Sequence, residues 1–501
     1  TPMFDVTIYD TTLRDGAQSE GVNFSVEDKV SIALALDALG VDYVEGGYPL
    51  SNEKDMAFFA AMRQKKLKHT RICAFGSTRR AKLTVQDDPG LAALLSAGTP
   101  AVAIVGKSWD LHVRDVLRVA LAENVAMIAD TVKYLKARRL DVIYDAEHFF
   151  DGYRHNPVYA LSTLRAAREA GADALVLCDT NGGSLPHDVE EITRAVLAAV
   201  GGVVGFHGHN DSGCAVANTL AAVRGGARHV QGTMNGLGER TGNGDLCVVI
   251  PDLQLKLKQR CLSDENLRRL TETSRYIYEI ANLSLDDSQP FVGRAAFAHK
   301  GGLHVDAVRK NPVTYEHVSP ETVGNERRLL LSELSGAATM LAKMEKHQLT
   351  DDPKVMKQAL KEVQKLENMG YQFEAAEGSF VLLVRRMLGK QKRFFDLRGF
   401  RVIVEKRGHD EAPITEATIK IGVGGQEELT ASEGDGPVNA IDGAMRKALE
   451  RFYPSLREMR LIDYKVRVIN TAAGTAARVR VVIQSGDRDA VWGTVGVSEN
   501  L

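Results

Sequence analysis

Short β-rich runs alternate with longer amphipathic stretches through the first 260 or so residues, and the alternation counts to eight. "FDVTIYD" (4–10) precedes "VEDKVSIALALDALG", and "VDYVEGG" (41–47) precedes "EKDMAFFAAMRQKK". The order continues with "RICAF" (71–75), "AVAIVG" (101–106), "DVIYDAE" (141–147), "ADALVLCD" (172–179), "VVGFHGH" (203–209) and "RHVQGTM" (228–234). Apolar strands separated by amphipathic helices predict a parallel sheet covered by helices, and eight such units in about 260 residues match a closed (β/α)8 TIM barrel. A doubly wound open sheet is the alternative, but no G-x-G-x-x-G follows the first strand, where a dinucleotide fold places its phosphate turn.

The pattern then changes. From about 276 to 345 the chain reads as loops and short helices rich in His, Arg, Gly and Pro. Residues 353–368 form an amphipathic helix, with Val355, Met356, Leu360, Val363 and Leu366 near a 3.6-residue spacing. Beyond 390 the strands "FRVIVEKR" (400–407) and "EATIKIGVGG" (416–425) precede the helix "NAIDGAMRKALERFY" (439–453), and the strands "LIDYKVRVIN" (461–470), "ARVRVVIQS" (477–485) and "VWGTVGVS" (491–498) begin the order again. The predicted domains are a catalytic barrel (1–275), linker subdomains (276–389) and a duplicated C-terminal α+β module (390–501). With no second helix after the last strand, that module is expected to be truncated at its end.

Composition removes several function classes. Lys+Arg 63 against Asp+Glu 65 leaves a net charge of −2, with no basic block, so a nucleic-acid partner is not expected. No apolar stretch reaches the roughly 20 residues a bilayer span requires, and "TPMFDVTIYD" lacks the basic and apolar regions of a signal peptide. Five scattered cysteines, an odd number, argue against a disulfide framework. A soluble cytoplasmic protein is the expectation.

On the barrel prediction the polar residues acquire positions. Asp10, Arg14 and Asp15 follow strand 1, Glu45 ends strand 2, Glu147 ends strand 5, and Asp179 and Thr180 end strand 6. His207 and His209 end strand 7, and the Gly-rich "NGLGERTGNGDL" (235–246) after strand 8 supplies Glu239, Arg240 and Asn243. Taken alone, H-x-H is equally well a pair of ordinary strand-end residues. Here all of these groups converge on the rim of the barrel where active sites are built, and in a strand the i, i+2 spacing puts both imidazoles on one face. Two imidazoles with Asp15 and an amide carbonyl form a mixed nitrogen and oxygen set suited to an open divalent ion: Mg²⁺, Mn²⁺ or catalytic Zn²⁺. Such an ion beside Arg14 is a receptor for a 2-oxo acid, although an arginine among acids is often only a salt-bridge partner.

"YDTTLRDGAQSEGVNFS" and "GFHGHNDSGCAVANTLAAVRGGARHVQGTMNGLGERTGN" resemble the two signatures of the 2-isopropylmalate synthase and homocitrate synthase family. "EGGYPLSNEKD", "GKSWDLHV", "DAEHFFDGY" and "YQFEAAEGSF" are most similar to the branch of that family that condenses acetyl-CoA with pyruvate to form citramalate for isoleucine biosynthesis. The resemblance implies Asp15, His207, His209 and Asn243 as metal ligands and Arg14 beside the ketone, with Glu147, Thr180 and Tyr315 facing the substrate. It implies catalysis by His304 and Asp306, carried on a subdomain that reaches over the neighbouring subunit's barrel in a homodimer. His299 and His317 flank that segment as decoys or helpers. It also implies a C-terminal regulatory domain with isoleucine as effector. The competing readings are a 2-isopropylmalate synthase using 2-oxoisovalerate, and a cleavage enzyme like HMG-CoA lyase. The lyases carry a catalytic cysteine in the strand-8 loop, and "GLGERTGNGD" has none.

Overall fold

A computed structural model describes residues 5–50, 52–300, 302–329, 347, 349, 352–371, 373, 376–406, 412–469 and 478–499. The chain divides into two compact units, Thr1–Phe297 with Glu316–Arg327, and Ala298–Tyr315 with Arg328–Leu501.

In the first unit β1 (Thr7–Asp10), β2 (Tyr43–Gly47), β3 (Arg71–Ser77), β4 (Ala101–Lys107), β5 (Asp141–Glu147), β6 (Ala174–Asp179), β7 (Val204–Gly208) and β8 (His229–Gly232) close into a barrel in chain order. All neighbours are parallel, and β8 returns to β1 in register from Thr7↔His229 to Asp10↔Gly232. These are the eight predicted strands. Each strand is buried on both faces, which is why it reads as a short apolar run. One face packs against the helices through residues such as Ile8, Val44, Ile104, Leu175 and Phe206. The other fills the bore with Tyr9, Cys73, Ala101, Ala103, Ile143, Ala174, Val176 and Cys178. The covering helices start on local signals. Before Val26–Leu39, Ser25 Oγ accepts from Asp28 N (3.0 Å) while Asp28 Oδ2 accepts from Ser25 N (2.8 Å), closing a capping box. Among the described residues no helix is long and apolar enough to cross a membrane.

The second unit begins with a short parallel pair, β9 (Ala298–His299) and β10 (Arg328–Leu329), and the helix Gly302–Lys310. The predicted helix is present at Pro353–Asn368, where Ala359 and Val363 pack with Phe373, Phe380 and Val384. Two three-stranded antiparallel sheets follow, β11 (Asp396–Glu405), β12 (Ile414–Val423) and β13 (Gln426–Gly434), then β14 (Arg460–Val468), β15 (Val479–Gly486) and β16 (Val491–Ser498). The expected repeat of two strands and a helix is therefore corrected to three strands and the helix Pro437–Leu449, followed by three strands. β13 escaped notice because "QEELTASEG" has no buried position; it pairs with β12 from Val423↔Gln426 to Thr415↔Gly434. The helix covers one face of the first sheet through Ala440, Ala444 and Ala448 on Ala417, Ile419 and Ile421. The second sheet is met by the helix Glu377–Met387, where Val495 N donates to Ser379 Oγ at 3.0 Å. Phe4, Arg407, Asn470 and Ala477 of the predicted strands, residues 330–346 of the predicted linker, and Gln372, Glu374 and Ala375 of "YQFEAAEGSF" lie outside the described residues, as does the side chain of Met356.

Candidate active site

His207 of β7 and His209, the residue that follows the strand, are brought to Asp15 by the turn that follows β1. Asp15 N donates to Thr11 O (2.9 Å), turning the chain back over the bore. His207 Nε2 then lies 3.2 Å from Asp15 Oδ2. The His207 and His209 rings are 5.1 Å apart between centroids. One ligand atom from each of Asp15, His207 and His209 falls within 4.8 Å of the others, and all three residues are buried. Asn243 joins from the loop after β8. That loop is stitched to β7 by Asn210 N→Gly242 O and Gly244 N→Gly208 O, each 2.9 Å, and by a bridge between His209 and Asn243.

The loop's shape explains its glycines. A Cβ on Gly242, at φ 90°, would stand 2.0 Å from Gly236 O, and one on Gly238 would stand 2.1 Å from Asn243 Nδ2. Asn243 Nδ2 donates to Leu237 O at 3.1 Å, so its carboxamide oxygen is left buried with no partner. His209 Nδ1 is also buried without a partner. Burying polar atoms without partners is costly. Two such atoms beside a carboxylate and a second imidazole, with no thiolate, fit an oxygen- and nitrogen-liganded divalent cation.

Arg14 sits beside this cluster in a fixed pose. Its Nε donates to Glu45 Oε1, its Nη2 is 3.5 Å from Asp15 Oδ2, and its guanidinium lies 4.0 Å above the Phe75 ring centroid. Burial opposes the arginine's charge, but Glu45 and Asp15 outweigh it and hold Arg14 above its ordinary range. Burial likewise opposes the Asp15 carboxylate, and Arg14 with the hydrogen bond from His207 overcomes it, keeping Asp15 well below the usual carboxylate range. For His207 burial is outweighed by Asp15, so it is shifted upward. His209 is pushed down to about 4 by burial and by the charge on His207. A cavity of about 310 Å³ opens beside Arg14, bounded by Leu13, Gln18, Tyr48, Lys54 and Phe75.

The other predicted residues are placed as follows. Glu147 pairs with Lys107, its register partner across β4 and β5. Thr180 Oγ1 accepts from His148 N at 2.9 Å, and Thr180 O accepts from Arg240 Nη2 at 2.9 Å. Arg240 also forks onto Asp211 with two contacts of 2.8 Å. His304, Asp306 and Tyr315 belong to the second unit. There the exposed His304 ring stacks on Tyr315 at 4.2 Å, and Asp306 pairs with Lys310 one turn on, at 2.7 Å. His299 lies in β9, whereas His317 belongs to the first unit, packed near Phe291 and Phe297.

Two participants, Gln231 and Asp145, were not singled out by sequence reading. Glu45, placed on the rim and read with Asp15 as an acid open to pairing with Arg14, does pair with it; what the sequence did not show is that Glu45 is fully buried and also accepts from Tyr9 Oη (2.5 Å) and Thr11 Oγ1 (2.7 Å). Gln231 and Asp145, both buried, point into the bore next to His207. Their signal was the two-residue alternation, since Asp145 shares a strand face with Glu147, and Gln231 is the register partner of His207.

Residues 5–277 match the HMGL-like family model, residues 291–370 the "Homocitrate synthase post-HMGL domain-like" model, and residues 374–501 the "LeuA allosteric (dimerisation) domain" model. The chain is 54% identical over 498 residues to an (R)-citramalate synthase of Geobacter sulfurreducens, covering 99% of this chain and 94% of that one. It is 53% identical to the (R)-citramalate synthase of Aquifex aeolicus, covering 99% and 94%, and 52% identical to that of Synechocystis sp., covering 99% and 93%.

Proposed function

Because this chain belongs to the HMGL-like family and groups with its (R)-citramalate synthases, we propose that it condenses acetyl-CoA with pyruvate to give (R)-citramalate and CoA. The observation that carries the reading is the buried cluster of Asp15, His207 and His209 beside the held guanidinium of Arg14. Asp15, His207, His209 and Asn243 are the residues that would hold a divalent ion, Mg²⁺, Mn²⁺ or Zn²⁺, and the ion when bound would polarise the ketone of the oxo acid.

Arg14 lies where negative charge develops on the ketone oxygen as the new carbon–carbon bond forms, and Glu45 keeps it there without motion. Thr180 and Glu147 stand on the rim beside this centre and face the bound oxo acid. The proton of the acetyl methyl group goes to a base, for which His304 is the choice, with Asp306 and Tyr315 near it on the same segment. The methyl carbon bonds to the ketone carbon, and water then cleaves the thioester, releasing CoA. His304 is supplied by a partner subunit in a homodimer, and the C-terminal module, 390–501, binds isoleucine as inhibitor in a cytoplasmic biosynthetic enzyme. The name of the matched C-terminal domain family supports a dimeric, regulated arrangement.

The deciding experiment measures CoA release from acetyl-CoA against a panel of 2-oxo acids. Pyruvate is expected to give the highest kcat/KM. Faster turnover with 2-oxoisovalerate would replace this reading with 2-isopropylmalate synthesis.

A further inference from the structure

We propose that Gln231 and Asp145 are positioning residues that fix the tautomer and ring rotation of His207. The proposal rests on reading Asp15, His207 and His209 as a metal centre. Gln231 Oε1 lies 2.8 Å from His207 Nδ1, and Gln231 Nε2 donates to Asp145 Oδ1 at 2.9 Å. His207, Gln231 and Asp145 are 5%, 1% and 4% exposed, so water does not compete for these bonds.

The direction of the chain of bonds follows from donor chemistry. A carboxylate only accepts, so Asp145 takes the amide N–H of Gln231 and turns the amide oxygen toward His207. That oxygen in turn only accepts, so His207 carries a proton on Nδ1. Nε2 faces Asp15 from 3.2 Å and is the nitrogen that would give up the proton it donates to that carboxylate and ligate an ion, while Nδ1 keeps its own. The arrangement depends on closure of the barrel. β7 and β8 are neighbours, but Gln231 on β8 reaches Asp145 on β5 across the bore, past β6 and β7. The intermediate is an amide and not a second carboxylate, so the imidazole has an acid on one side only. Groups that hold the far nitrogen of a ligating imidazole typically set metal affinity by about 10–100-fold.

The test uses the full-length protein at pH 8 and Mn²⁺ as the probe, with binding followed by calorimetric titration and folding by thermal melt. Gln231→Leu and Asp145→Leu are expected to bind Mn²⁺ roughly 10–100-fold more weakly while melting cooperatively. Asp145→Asn, whose amide oxygen accepts the same bond, is expected to stay within about 3-fold of the parent, a small fraction of that loss. Wild-type affinity in folded Gln231→Leu, or equal losses in Asp145→Asn and Asp145→Leu, would overturn the proposal. Should the leucine variants not fold, ¹H–¹⁵N correlation of the parent loaded with Zn²⁺ decides, a proton on Nδ1 of His207 supporting the assignment and a proton on Nε2 defeating it. His207→Ala is the control on the underlying reading. If it binds Mn²⁺ like the parent, the metal centre itself is wrong; if it does not and Gln231→Leu is unaffected, only the positioning role fails.

Discussion

Glu45, with no exposed surface, receives the Nε–H of Arg14 and so leaves the guanidinium's other edge toward Asp15. The pair is enclosed, and the carboxylate also holds the Tyr9 and Thr11 hydroxyls. Glu45 is therefore a support for charge and not a free base. Glu45→Ala should destabilise the barrel by about 3–5 kcal/mol, the usual result of leaving a buried charge unpaired, and Glu45→Gln should retain the fold but lose at least about 10-fold in kcat, less than loss of a direct transition-state donor costs. Urea unfolding and steady-state kinetics on the two variants check both parts.

His207→Ala and His209→Ala should each lose condensation and metal while keeping the barrel's melting transition, because these side chains lie at the strand ends and not among the apolar packing. Chelation of the parent should have the same effect, reversed by adding Mg²⁺, Mn²⁺ or Zn²⁺. Metal content per chain, read beside activity, would expose the error if either variant kept both.

His304→Ala should lower kcat by roughly 10²–10⁴-fold with little change in KM for pyruvate, as expected for loss of a proton acceptor. Because the base is assigned to a partner subunit, mixed dimers of His304→Ala and His207→Ala chains should regain part of the activity. Verified mixed dimers that stay inactive would place the base and the rim in one chain.

The buried His229, packed at 5.4 Å from Tyr9 and 6.2 Å from Tyr43, is pushed down to about 3 by burial. Its ordinary value is near 6.5, so between those values the unfolded chain binds a proton that the folded barrel refuses. Stability thus falls as pH falls through this window. His229→Leu should lessen the slope of unfolding free energy against pH there by up to about 1.4 kcal/mol per pH unit. Asp10, pushed up to about 7 by burial, acts in the opposite sense, so the slopes of variant and parent are compared and not the stabilities at one pH.

Deleting 390–501 should remove inhibition by isoleucine more completely than it removes catalysis. Dose–response curves with isoleucine and leucine on the intact and shortened proteins test this. Inhibition of the intact protein by leucine alone would count against both the effector and the pyruvate assignment.

The barrel was legible because parallel strands covered on both faces read as unbroken apolar runs, and the approach of His207 to His209 because H-x-H in a strand needs no tertiary information to put both rings on one face. β13 was not legible, since none of its nine residues is fully buried and its charged and polar composition carries no apolar alternation. Nor was the link from Gln231 to Asp145, which joins residues 86 apart in the chain across a bore that exists only once the eight strands have closed. Glu45 was visible as a rim acid and as a partner open to Arg14, yet its full burial and its bonds to Tyr9 and Thr11 depend on β1 and β2 lying side by side.

The placement of the cysteines supplies a clock for barrel opening. Cys73, Cys178, Cys247 and Cys261 are buried and their thiols pushed up by burial, whereas Cys214, partly exposed, heads the helix Ala215–Arg224. A thiol reagent should modify Cys214 at a rate set by the reagent, and the other four only as fast as the protein lets them out. Since Cys73 and Cys178 line the bore, the delay between the first and later modifications, resolved by mass, would time how often β3 and β6 part from their neighbours.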